Sequence, residues 1–187
     1  MKTAIIIHGM PTEADYKDHP AQSQEHWYKW VAAQLTDRGI AATVLEMPTP
    51  YAPVYEEWKE VFEKQTIGPD TMLIGHSGGA GFIIRWLSEN NVQVGQVILV
   101  APWIDPNKEL TTGFFDFAID PTLSDRTDGV TIFISNDDEK PMLDTVEILE
   151  QTLKGYFTRR FEDKGYFTIG DMGTHEFPEL IERINKK

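Results

Sequence analysis

Short apolar runs alternate with longer amphipathic stretches along this 187-residue chain, and that alternation limits its fold more than any other feature. TAIIIHG (3–9) is rich in β-branched residues and ends in glycine, so it reads as a buried parallel strand. Comparable runs follow at 41–48 (stopped by Pro48), 71–77, 95–103 and 129–138, and a sixth strand lies in either YFTRRFED or YFTIGDM. Between them, 23–39 has helical spacing, with Ser23 as a candidate N-cap, Gly39 just past the end, and Trp27, Trp30, Val31 and Leu35 on one stripe. The segments 54–65, 78–90, 141–153 and 175–187 are the other expected helices, and Pro141 falls where a helix tolerates a missing N–H. Strand and helix in strict alternation imply an α/β domain over 1–187, a mostly parallel sheet of about six strands with helices on both faces.

Composition narrows the possible functions. A net charge of −13 gives no basic face for nucleic acid or an anionic membrane. With no cysteine there is no disulfide, thiolate nucleophile or thiolate metal site. The only apolar run near the start, Ala4 to Ile7, is too short for a signal-peptide core, and no run approaches a membrane span, so the expected location is the cytoplasm. No metal-binding or nucleotide-binding motif is present, and no cofactor is expected. The stretch 104–128 lacks clear periodicity and carries Phe114, Phe115 and Phe117. It reads either as a short helix packing its aromatics into the core or as a small cap walling a substrate pocket.

In an open parallel sheet, ligands bind outside the carboxyl ends of the strands. The third strand ends in Gly75-His76-Ser77-Gly78-Gly79, a G-x-S-x-G pattern with a strand before it and a small-residue helix start after it. Ser77 is thereby a candidate nucleophile. The backbone N–H of Gly78 and that of Met10, in the loop after the first strand, are candidate oxyanion donors. Asp137 and Asp138 end the fifth strand, and either carboxylate could orient an imidazole. His8, His19, His26 and His76 are weaker candidates for the base: His76 reads as a core histidine, and His26 as a support for the loop after the first strand.

Taken together, IIIHGMP, HWYKWV, MPTPYAPVYEEW, GHSGGA, ILVAPW and SNDDEKP resemble the small serine hydrolases related to retinoblastoma-binding protein 9 and bacterial YdeN, nearly end to end. The resemblance implies an α/β-hydrolase fold without a large lid, strand order 2-1-3-4-5-6, and a small ester or amide as substrate. It places the nucleophile at Ser77 and, as the second Asp of an S-x-D-D pattern, the acid at Asp138. The family's catalytic histidine falls on Tyr166, between Gly165 and Phe167. A phenol with a pKa near 10 cannot shuttle the serine proton at neutral pH. Three accounts follow: His175 serves as the base, the site is disabled and the fold serves as a binding module for a protein partner, or Tyr166 is a change particular to this strain.

Overall fold

The computed structural model describes residues 1–185; Lys186 and Lys187, the end of the helix expected over 175–187, lie outside them. Six strands, β1 (Thr3–Ile7), β2 (Ala41–Leu45), β3 (Thr71–His76), β4 (Val97–Val100), β5 (Val130–Ser135) and β6 (Tyr156–Phe161), form one sheet of order β2-β1-β3-β4-β5-β6. Every pairing is parallel, as the alternation requires. β3, β4 and β5 are buried at every residue, which demands cover on both faces of the sheet. The helices are α1 (Glu13–Asp18), α2 (Tyr28–Thr36), α3 (Tyr55–Glu63), α4 (Gly78–Glu89), α5 (Lys140–Thr152), α6 (Ile169–Met172) and α7 (Pro178–Asn185); α1 and α6 bury no residue, so the cover comes from α2, α3, α4, α5 and α7. α2 contacts α7, while α3 meets α4 through Phe62 edge-on to Trp86 at 5.0 Å.

The register aligns the strand ends that matter. Ile7 pairs with Gly75, His76 with Val100, and Val100 with Phe133. The residues that follow β1, β3, β4 and β5 therefore emerge side by side.

The structure corrects one local expectation and decides two that the sequence left open. Ser23 does not cap a helix: Glu46 accepts the N–H groups of Gln22 and Ser23 at 3.1 and 2.9 Å, residues 22–24 form a 3-10 turn, and α2 begins only at Tyr28. The sixth strand is the first of the two GYFT copies. The second cannot extend, because Gly165 and Phe167 adopt left-handed φ of 47° and 59°. The aromatic segment at 104–128 contains no α-helix, only a 3-10 turn at Leu123–Arg126. It is nevertheless packed down. Phe114 is buried against Tyr55, Trp58 and Phe82, and the Arg85 guanidinium donates to the carbonyls of Gly113 and Phe114 at 2.8 and 2.7 Å. Among the described residues no helix is long and apolar enough to cross a membrane.

Candidate active site

β3 ends at His76 and α4 begins at Gly78, so Ser77 alone makes the turn, with φ 54° and ψ −124°. Such a backbone costs on the order of 1–3 kcal/mol for a residue bearing Cβ and persists only where its surroundings impose it. Here the Ser77 N–H donates to the Val100 carbonyl at 2.9 Å, and the Ser77 carbonyl accepts from Gly81 and Trp103, each at 3.1 Å. The flanking glycines leave the needed room. A Cβ on Gly75 would stand 2.6 Å from the Ala80 Cα, and one on Gly79 would stand 2.3 Å from the His8 carbonyl oxygen. The Gly78 N–H is the first of α4, one of four that no carbonyl of the same helix accepts.

The loop after β1 lies against this turn. A Cβ built on Gly9 would be 3.2 Å from the Ser77 Cβ, and the Met10 side chain rests on Gly78, its Sδ 2.5 Å from where a Cβ would sit. Ser77 is 1 % exposed as a result.

The partner of the Ser77 hydroxyl is Tyr166, whose O–H donates to Oγ. Burial pushes the Tyr166 phenol above its usual range, against the pull of the Ser77 contact, and the nearby Asp138 and Glu139 carboxylates push it further. It therefore stays protonated and gives a hydrogen to Oγ rather than taking one. Asp138 lies within electrostatic reach of that phenol. One of its oxygens accepts the Glu139 N–H at 2.7 Å, while the other, Oδ2, is buried with no hydrogen-bond partner among the described residues. Burial, outweighing the Glu139 N–H, raises this carboxyl to about 7, with repulsion from Glu139, Asp171 and Asp137 adding to it. Asp137 has another occupation. Its Oδ1 accepts from the Ser135 hydroxyl and from the Gly165 N–H at 3.0 Å, and the Ser135 bond holds its carboxyl below the usual range.

The turn carrying Tyr166 is fastened at nearly every polar backbone group. Lys164 N–H donates to Ser135 Oγ at 2.9 Å, and Tyr166 N–H to Asp171 Oδ2 at 3.1 Å. The Tyr166 carbonyl accepts from His76 Nε2 at 2.8 Å, and the Phe167 carbonyl from Trp27 Nε1 at 3.1 Å. Ile169 N–H donates to His26 Nδ1 at 3.3 Å. The His26-Trp27 pair thus holds the loop after β6, not the loop after β1 as its position in the sequence suggests. The Thr168/Asp171 capping box that starts α6 is a sequence signal of the same loop, one the strand-and-helix alternation passes over.

The structure brings together Ser77, Gly78, Met10, Tyr166 and Asp138. It places His175 elsewhere: exposed, with its Nδ1 donating to the His26 carbonyl at 2.7 Å. His76 is a buried core histidine, and its pKa falls to about 3 chiefly through burial. Among the described residues no group of three or more His, Asp or Glu is placed to hold a metal ion.

Comparison with known proteins gives the family and the fold. Residues 16–157 match the profile of a family described as serine hydrolase. Over 125 residues the chain is 32 % identical to YdeN of Bacillus subtilis (strain 168); the match spans 62 % of this chain and 61 % of that protein's length. The crystal structure of the ydeN gene product from B. subtilis superimposes with a TM-score of 0.79 at 22 % identity, covering 99 % of this chain and 97 % of the other. Est1E from Butyrivibrio proteoclasticus, solved with ferulic acid bound, gives a TM-score of 0.62 at 14 % identity over 100 % and 90 % of the two chains. At these identities the structural likenesses establish the fold, that of the α/β-hydrolases.

Proposed function

Because the chain belongs to the serine hydrolase family, we propose that it acts on small carboxylic esters, or amides, through Ser77, and that it turns over slowly because Tyr166 occupies the place of the catalytic base. Ser77 sits on the nucleophile elbow, its Oγ held at the amino end of α4. As Oγ bonds to the substrate carbonyl carbon, the oxygen that gains charge is received by the N–H groups of Gly78 and Met10. The Oγ proton must leave in the same step, and because the Tyr166 phenol, already donating to Oγ, cannot take it, the proton passes to a water molecule that enters with the substrate. Without a base the oxyanion donors and binding still supply about 10³-fold over water.

One observation carries this reading: the phenol of Tyr166 reaches Ser77 while the buried Oδ2 of Asp138 has no partner among the described residues. An imidazole at position 166 would answer both, its Nε2 accepting from Oγ and its Nδ1–H donating to the carboxylate. His175 is left out of the machinery, since its ring is engaged with the His26 carbonyl at the surface.

A second reading, a non-catalytic module that keeps the fold and binds a partner, is favoured by the near-complete burial of Ser77. Hydrolysis of a p-nitrophenyl ester separates the two. The hydrolase reading expects slow turnover that disappears in Ser77→Ala. Equal rates in wild type and Ser77→Ala would leave only the binding module.

A further inference from the structure

Two buried imidazoles and one buried phenol connect the two halves of the site. Each ring nitrogen of a neutral imidazole either donates or accepts, a carbonyl only accepts, and a backbone N–H only donates, so the directions can be assigned without ambiguity. Met47 N–H donates to His8 Nε2 at 2.9 Å, which leaves His8 Nδ1–H to donate to the Gly9 carbonyl at 2.7 Å. At the other end, His76 Nε2 must carry the hydrogen it gives to the Tyr166 carbonyl at 2.8 Å. His76 Nδ1 is then an acceptor, and the Tyr28 O–H donates to it at 2.6 Å. The Tyr28 oxygen in turn accepts the Gly9 N–H at 3.3 Å. The chain runs without a break from Gly9 through Tyr28 and His76 to Tyr166.

We infer that Tyr28 and His76 are positioning residues: together with His8 they fix the Gly9–Met10 peptide and the backbone of residue 166 relative to each other, on either side of Ser77. The Gly9–Met10 peptide is trans, so pinning the Gly9 carbonyl to His8 fixes the Met10 N–H in the opposite direction. The Gly9 N–H is pinned as well, which removes the remaining freedom of that turn. The Tyr166 carbonyl is held from the same phenol through His76, so the oxyanion donor and the base position cannot shift independently. His8, Tyr28 and His76 are each no more than 1 % exposed, and burial keeps both imidazoles neutral, the state the chain requires. A buried network of this kind is rigid only while every member is satisfied. The inference rests on the proposed roles of Ser77 and Met10 only for its catalytic consequence; the hydrogen-bond chain stands apart from them.

Nitrogen-15 NMR of the intact protein, with ester-hydrolysis kinetics beside it, tests the inference through Tyr28→Phe, which keeps the ring packed on Trp27 and removes one oxygen. In wild type the His76 ring should be the Nε2–H tautomer. In Tyr28→Phe the backbone amide signals of Met10 and Phe167 should both move, though they lie on opposite sides of Ser77. A misplaced oxyanion donor should lower kcat at least about tenfold with KM little changed. A Nδ1–H tautomer in wild type would overturn the inference even if Tyr28→Phe does not fold. So would a folded variant in which only one of the two amides moves, or in which kcat is unchanged while Ser77→Ala abolishes turnover. If Ser77→Ala leaves hydrolysis intact, the proposed function falls, and the tautomer and amide signals alone decide the chain.

Discussion

Replacing Asp138 with Asn removes a buried charge while keeping the oxygen that accepts the Glu139 N–H, so it isolates what the unpartnered carboxylate costs. The side chain is 7 % exposed, Oδ2 has no donor among the described residues, and burial lifts the carboxyl to about 7. The unfolded chain titrates near 3.9, so between about pH 4 and pH 7 the folded state holds the extra proton and wild-type stability falls as pH rises. Above pH 7 the accumulated cost is on the order of 4 kcal/mol. Asn carries no such cost. Urea unfolding of both proteins from about pH 4 to pH 8 should show Asp138→Asn gaining on wild type by that amount across the window, with most of the gain complete by pH 7. A difference that does not change with pH would refute the reasoning, for it would mean that Asp138 finds a donor or is solvated in the folded protein. Tyr166→His should remove the same pH dependence by a different route, because an imidazole Nδ1–H would partner Oδ2 and bring the carboxyl down.

Other consequences follow from the elbow and its neighbours. Ser77→Gly should be about 1 kcal/mol more stable than Ser77→Ala in denaturant unfolding, since both leave the Tyr166 O–H without its acceptor and only glycine adopts the φ of 54° without the strain a Cβ brings. Gly79→Ala should destabilise by about 1–3 kcal/mol or more, because its Cβ would press into the His8 and Ile7 carbonyl oxygens at 2.3 and 2.6 Å. Phe114→Ala should cost about 3–5 kcal/mol, as befits a side chain packed against Tyr55, Trp58 and Phe82; a loss below 1 kcal/mol would show that the 104–128 segment is not part of the core.

The sheet was legible because its evidence is periodic: fully buried parallel strands such as VILV and VTIFIS have to be continuous apolar runs, and they are. The strand-to-helix turn at Ser77 was legible because a strand, a glycine-flanked serine and a small-residue helix start form one local pattern. The loop carrying Tyr166 was not, because long-range bonds hold it. Trp27 and Phe167 are 140 residues apart, His26 and Ile169 are 143 apart, and spacing along the chain encodes neither contact. The same cause displaced the start of α2, which Glu46 fixes from 23 residues away by taking the Ser23 N–H. The role of Tyr28 was hidden for another reason: it lies outside the stripe of Trp27, Trp30, Val31 and Leu35, nothing in its spacing singles it out, and only the position of its oxygen gives it a role.

The most direct measurement is the rate at which a fluorophosphonate probe labels Ser77, followed by mass spectrometry in wild type, Tyr166→His, His175→Ala and Ser77→Ala. The account predicts slow labelling in wild type, no change in His175→Ala, none at all in Ser77→Ala, and at least about tenfold faster labelling in Tyr166→His, a threshold set below the roughly 10²-fold that a well-positioned base contributes at the least. Fast wild-type labelling that is lost in His175→Ala and not improved in Tyr166→His would contradict it, and would make the surface histidine the working base.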